Sequence, residues 1–230
     1  MFSGSLSGAA CYFVAGTDTE VGKTFCSAAL LHVAAAAGKK SCGFKPVASE
    51  ADGNGHNADV LALQQASAVK LAYGQHNLYT FAEATAPHLA ARDEGCQIET
   101  AHLSAGLRRL QAEAGWVLVE GAGGWHTPLN DTVCFSEWVG SEGLPVILVV
   151  GMKLGCINHA LLTAEAVRAA GLPLAGWVAN CLSPVPHRLD DYVAELQQRL
   201  GAPLLGVVPY LPDGDVRQAM AYLSIESLGR

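Results

Sequence analysis

A chain of 230 residues, half of them hydrophobic and 15% charged, can bury one sizeable core, and a single domain over residues 1–230 is expected. Its formal net charge of -7 argues against a surface that tracks nucleic-acid phosphates or anionic lipid, while leaving room for a local basic pocket that takes a small anion. The chain has no apolar run of about 18 residues, and MFSGSLSGAAC lacks the basic start and apolar middle of a secretion signal, so a cytoplasmic protein with no membrane or nucleic-acid partner is expected.

Short β-branched runs alternate with helical stretches, the rhythm of βαβ units. The predicted fold is α/β, a parallel β-sheet flanked by helices on both faces. The first strand, Cys11 to Ala15, runs into GTDTEVGKTFCSAALL and a helix from Lys23 to Ala37 closed by Gly38. A turn ending in GKT between a strand and a helix is the context of a phosphate-binding loop. Backbone N–H groups and the positive helix end would face phosphate oxygens. Gly22 would allow close approach, Lys23 would neutralise terminal phosphate charge, and the Thr24 hydroxyl suits Mg²⁺. The spacing is one residue longer than the common pattern, and Thr17 stands where that pattern has its first glycine.

The next strand, Ser41 to Val47, carries Lys45 near its end, with Ser49 close by in GFKPVAS. In a parallel sheet the strand carboxyl ends open into the ligand crevice, where a cation can neutralise charge on a transferring phosphoryl group; an exposed strand-edge lysine would leave the same pattern. The polar loop EADGNGHNAD leads into a helix predicted over Ala58 to Ala68. Asp59 there is either a metal ligand or an acid favoured by the helix dipole. Residues Tyr73 to Gln97 fit neither period, and such an excursion often carries substrate contacts.

A helix over Glu99 to Ala114 precedes the strand Trp116 to Glu120. Glu120 ends this strand within WVLVEGAGGW and offers a hard oxygen ligand to nucleotide-bound Mg²⁺, beside the space left by Gly121, Gly123 and Gly124. A solvated acid in a tight turn is the plainer alternative. The strand Pro145 to Val150 leads through GCINH to a helix from Asn158 to Ala170 closed by Gly171. Free N–H groups at that helix start, opened by Asn158 or the glycine before it, suit a fatty-acid-like carboxylate, although an N-cap without ligand would read the same. The strand Leu174 to Asn180, the helix His187 to Leu200 closed by Gly201, and the strand Pro203 to Val208 complete the series. The 7 cysteines are scattered without a C-x-x-C pair and the 8 histidines show no ligand spacing, so no required disulfide or transition metal is expected.

Taken in order from residue 11 to about 211, GTDTEVGKT, KPVAS, WVLVEGAGGW, PVILVVGMKLGCINHALLTAEAV and LAGWVAN together resemble dethiobiotin synthetase. The resemblance implies a P-loop nucleoside triphosphate hydrolase fold, a homodimer, and an ATP- and Mg²⁺-dependent ligase of biotin biosynthesis. Such a ligase closes the ureido ring of dethiobiotin from 7,8-diaminononanoate and CO₂, or bicarbonate as its source, with release of ADP and phosphate. In that family the diamine forms a carbamate, the carbamate oxygen attacks the γ-phosphate to give a carbamic-phosphoric anhydride, and the second amine closes the ring.

Carried onto this sequence, the resemblance makes Glu20, Val21, Gly22, Lys23, Thr24 and Phe25 the triphosphate cradle, and Thr24, Asp59 and Glu120 the Mg²⁺ ligands. Lys45 becomes the catalytic lysine, sharing the transferring phosphate with Lys23. Thr19 and Ser49 match substrate contacts, and Glu120, Gly121, Ala122 and Gly123 a nucleotide-contacting turn. Asn180 aligns with the residue that reads adenine, beside Cys181 where the family pattern has Asp. Pro209, Tyr210 and Leu211 match a further base-contacting segment. Gly155, Cys156, Ile157 and Asn158, with Tyr192, match the site that holds the diamine carboxylate across the dimer interface. The competing reading is a switch-type P-loop ATPase of the partitioning or metal-delivery kind, which would favour a lysine where Thr17 stands. A non-catalytic nucleotide-binding module would be expected to lose Lys23, Thr24 or Glu120, and all three are present.

Overall fold

Strands that are apolar without alternation should be covered on both sides. The computed structural model, which describes residues 9–184 and 188–228, has this arrangement. Its strands are β1 (Ala10–Gly16), β2 (Ser41–Phe44), β3 (Val47–Ala48), β4 (Tyr79–Thr80), β5 (Trp116–Glu120), β6 (Val146–Met152), β7 (Leu174–Cys181) and β8 (Leu204–Val208). Six of them form one sheet in the order β2-β5-β1-β6-β7-β8, and every pairing in it is parallel.

Successive residues of each strand face opposite layers. Phe13, Ala15, Val117, Val119, Leu148, Val150 and Trp177 enter one core cluster, whereas Tyr12, Val14, Trp116, Leu118, Ile147, Val149 and Val178 enter the other. The second cluster is closed by α1 (Lys23–Ala36), α2 (Ala58–Ala66) and, past a four-residue α3 (Tyr73–His76) and further along the chain, the C-terminal helical turn at Val216–Ala219. The first is closed by α4 (Pro87–Asp93), α5 (Thr100–Glu113), α6 (Phe135–Glu142), α7 (Cys156–Ala169) and α8 (Leu189–Leu200).

Several predicted boundaries move for identifiable reasons. The strand expected to reach Val47 stops at Phe44, because Pro46 has no N–H and the Lys45 N–H is given to the His76 carbonyl at 2.8 Å. Val47–Ala48 instead pairs with Tyr79–Thr80 in a separate two-stranded sheet. Helix α7 begins at Cys156 rather than Asn158, capped by Gly155 at φ 90. His187, the predicted start of α8, lies outside the described residues. Helix α6 was not anticipated. It opens with the Cys134 N–H donating to Glu137 Oε2 and closes at Gly143 in the left-handed conformation.

Register then determines the neighbours at the carboxyl edge of the sheet. Phe44 pairs with Val119, and Val14 with Glu120. Lys45 and Glu120 therefore emerge side by side, both on the α1 face, immediately beside the turn that follows β1.

Candidate active site

The turn between β1 and α1 wraps around a helix N-terminus whose cap, Gly22, has φ 83. A Cβ there would lie 2.2 Å from Asn180 Nδ2, so both conformation and space require glycine. Val21 beneath it is fully buried, and its carbonyl accepts from Asn180 Nδ2 at 2.9 Å. Lys23 opens the helix and its Nζ donates to the Asp18 carbonyl at 3.0 Å. Burial, followed by the charge of Lys45, pushes the Lys23 ammonium below the ordinary lysine pKa.

Below the turn two carboxylates converge on Lys45. Its Nζ lies 2.7 Å from Glu120 Oε1 and 2.9 Å from Asp59 Oδ2, and Thr24 Oγ1 donates to the same Glu120 oxygen at 2.7 Å. Burial alone would lower the lysine pKa, but the Glu120 and Asp59 carboxylates outweigh it and hold the ammonium above its ordinary value. For Asp59, burial acts upward and is outweighed by the charge of Lys45 and the hydrogen bond from it, so its carboxyl sits below the usual range.

Glu120 is 0% exposed and its second oxygen, Oε2, has no partner among the described residues. Two carboxylates surround one ammonium, with an orphaned buried oxygen and a hydroxyl beside them. This all-oxygen set, with two negative charges against the one positive charge of Lys45, fits a hard divalent cation such as Mg²⁺.

A cavity of about 800 Å³ opens above these groups, within the range for small-molecule sites. Its walls bring together Thr19, Glu20, Gly22, Lys23, Thr24, Phe25, Lys45, Ser49, Asp59, Ala122 and Gly123. Glu120 lies beneath it, and Gly121 packs so closely that a Cβ would meet the Phe13 ring at 2.6 Å. The far wall is formed by residues that the motifs did not single out: Glu50, Ala84, Thr85, Ala86, Pro87 and Thr127. Of these, residues 84–87 belong to the irregular excursion already marked for substrate contacts. Glu50 adopts φ 66, unusual for a side-chain-bearing residue.

The other predicted site residues do not line this cavity. Asn180 is buried behind the loop, Cys181 is buried at the end of β7, and Pro209, Tyr210 and Leu211 follow β8. At the start of α7 the Cys156 side chain is buried, and its N–H is given to the Lys153 carbonyl. Ile157 and Asn158 thus carry the first free N–H groups of that helix. Ile157 and Tyr192 pack, half-buried, against one core cluster.

The family described as an AAA domain matches residues 11–217. The chain is 56% identical over 205 residues to the ATP-dependent dethiobiotin synthetase BioD 1 of Escherichia coli (strain K12), covering 88% of this chain and 91% of that protein. To the protein of the same name from Salmonella typhi it is 54% identical over 223 residues, covering 95% and 98%. Among solved structures, a chain of the MinC:MinD cell division protein complex of Aquifex aeolicus overlays with a TM-score of 0.53 at 15% identity, covering 92% of this chain and 86% of that one. A ParA family ATPase from Chlorobium tepidum TLS gives 0.52 at 12% identity, covering 92% and 88%. At such identities the likeness is one of fold alone.

Proposed function

This chain belongs to the ATP-dependent dethiobiotin synthetase family, and we propose that it closes the ureido ring of dethiobiotin from 7,8-diaminononanoate and CO₂ while converting ATP to ADP and phosphate. The observation that carries this reading is the second buried lysine. Lys45 lies beside the phosphate loop under a cavity that continues past it to Ser49 and Thr85, which leaves room for a second substrate against the γ-phosphate.

One amine of the diamine takes up CO₂ and loses a proton to become a carbamate. The carbamate oxygen attacks the γ-phosphorus as the bond to ADP breaks, and the second amine then attacks the carbamoyl carbon and expels phosphate. Loop N–H groups and Lys23 bind the terminal phosphates. Lys45 stays protonated, so it acts as a fixed positive charge on the transferring group and not as a base. The Ser49 hydroxyl, buried and without a partner among the described residues, is placed to hydrogen-bond the carbamate. Thr24, Asp59 and Glu120 would hold Mg²⁺, which would supply positive charge to the transferring phosphate.

The segment Gly155 to Asn158 and Tyr192 lie away from the chain's own cavity, which supports assigning them to the carboxylate tail of substrate in the neighbouring subunit of a homodimer. Asn180, through its carboxamide oxygen, and Pro209 to Leu211 are assigned to adenine. No helix among the described residues is long and apolar enough to cross a membrane, and we place the enzyme in the cytoplasm. The deciding experiment measures ADP and dethiobiotin formation with the diamine and bicarbonate supplied or omitted. Equal ADP formation without the diamine would instead indicate an ATPase that makes no small molecule.

A further inference from the structure

A hydrogen-bonded chain of side chains lies behind the far wall of the cavity. Asn57, 6% exposed, accepts from the Asp59 and Val60 N–H groups through Oδ1, at 3.0 and 3.3 Å, and so caps α2. Its Nδ2 donates to the Ser49 carbonyl at 2.6 Å. Its own N–H donates to the Tyr73 hydroxyl at 2.9 Å, and that hydroxyl lies 3.1 Å from Thr80 Oγ1. The Thr80 proton is given to Asn77 Oδ1 at 2.7 Å, so the Tyr73 O–H must donate to Thr80. Asn77, 4% exposed, donates through Nδ2 to the Lys45 carbonyl at 2.8 Å. Each proton in the chain has one direction, and its ends grip the backbones of Lys45, Ser49 and Asp59.

We propose that Asn57 and Asn77, joined through Tyr73 and Thr80, are positioning residues that hold the catalytic lysine, the substrate serine and the metal-ligand aspartate of this site in one fixed relation. The proposal rests on the reading of the reaction given above. Lys45, Ser49 and Asp59 come from a strand end, a loop and a helix start, and no main-sheet hydrogen bond ties the three together. A carboxamide is suited to the junction because it donates to the serine segment and accepts from the aspartate segment at once, which neither a hydroxyl nor a carboxylate does equally well.

Asn57→Ser keeps a cap oxygen for Asp59 and removes the donor to Ser49, whereas Asn57→Ala removes both. Tyr73→Phe cuts the links to both the Asn57 N–H and Thr80 and keeps the ring that packs on His56. Asn57→Ser is expected to melt near the wild-type temperature and to bind Mg²⁺ normally, by calorimetry with a non-hydrolysable ATP analogue. Its KM for the diamine should rise at least about tenfold, the scale seen when a supporting hydrogen bond is lost. Asn57→Ala should in addition lose about tenfold in Mg²⁺ affinity, and Tyr73→Phe should lower kcat with unchanged analogue affinity. Wild-type diamine KM in Asn57→Ser together with wild-type Mg²⁺ affinity in Asn57→Ala would overturn the proposal, whatever the melting temperatures. If the wild-type protein shows no diamine-dependent ADP formation, the reading of the reaction fails instead, and the Mg²⁺ titrations of the two Asn57 variants still decide the role of Asn57.

Discussion

Lys45 and Glu120 meet at 2.7 Å because two parallel strands end in register, the Phe44–Val119 pair placing the next residue of each strand side by side. Neither charge is near bulk water, with side-chain exposures of 6% and 0%. Each is the condition for the other's burial, so the pair is both a piece of chemistry and a structural commitment.

Removing one partner therefore has two effects. Lys45→Ala, like Lys23→Ala, should lower turnover by at least about a hundredfold, the scale of lost oxyanion-type stabilisation. Lys45→Ala should also lower the melting temperature, because it leaves a buried carboxylate uncompensated, a change of about 3–5 kcal/mol where it has been measured. Adding Glu120→Gln to Lys45→Ala should recover part of that stability and none of the turnover. Near-normal turnover in both single lysine variants would remove the proposed active site.

The two lysines should separate on a pH axis. Lys23 is shifted below its ordinary pKa and Lys45 above it, so on alkaline titration Lys23 loses its proton first. Affinity for an ATP analogue should weaken with rising pH as Lys23 titrates, while Lys45→Arg leaves the midpoint of that titration in place.

For stability the signs follow from the same shifts. The Lys45 contribution is complete below its unfolded pKa of about 10.4 and is lost as pH rises through the higher folded value. The Asp59 contribution is complete above its unfolded value of about 3.9 and is lost as pH falls through the lower folded one. Asp59→Asn should accordingly flatten the acid limb of a melting-temperature profile more than the alkaline limb. An unchanged acid limb would show that Asp59 is not paired as described.

Subunit mixing tests the shared pocket. A Lys45→Ala chain and a Tyr192→Ala chain, each nearly inactive alone, should regain activity when exchanged into mixed dimers, since one site then carries both defects and the other neither. No recovery after demonstrated exchange, or full activity in an isolated monomer, would exclude a pocket completed by the partner.

The thiols should differ sharply in reactivity. Burial pushes Cys11 to a pKa of about 12 and Cys42 to about 11, and raises Cys26 further, whereas Cys96 is exposed. A disulfide reagent at neutral pH should modify Cys96 first and leave the buried Cys26 and Cys42 untouched until unfolding, and mild reductant should not move the melting temperature. Rapid modification of Cys26 in the folded protein would contradict its place on the buried face of α1.

The phosphate loop, Lys45 and Glu120 were readable in the sequence because each marks the point where an apolar run stops. In a parallel sheet that point is the ligand edge. Asp59 was not placed by spacing, since its position depends on the Asn57 cap and on Tyr73, contacts between side chains and distant backbone. The wall from Ala84 to Pro87 was visible only as a departure from both periods. Such a segment is held by individual bonds, for example from the Ala82 N–H to Glu94 Oε1, which leave no repeat to detect. Helix α6 is too short, and too interrupted by Gly140, for its period to show.

The bond from Asn180 to the Val21 carbonyl has an entropic consequence for nucleotide capture. A glycine-bearing turn left loose would have to be ordered by its ligand, at a cost of about 1–2 kcal/mol for each residue frozen. Here β7 holds the turn from behind, and Val21 is wedged against Gly151, where a Cβ would approach it to 2.9 Å. The ordering is therefore completed when the chain folds, and an arriving triphosphate meets N–H groups already aimed.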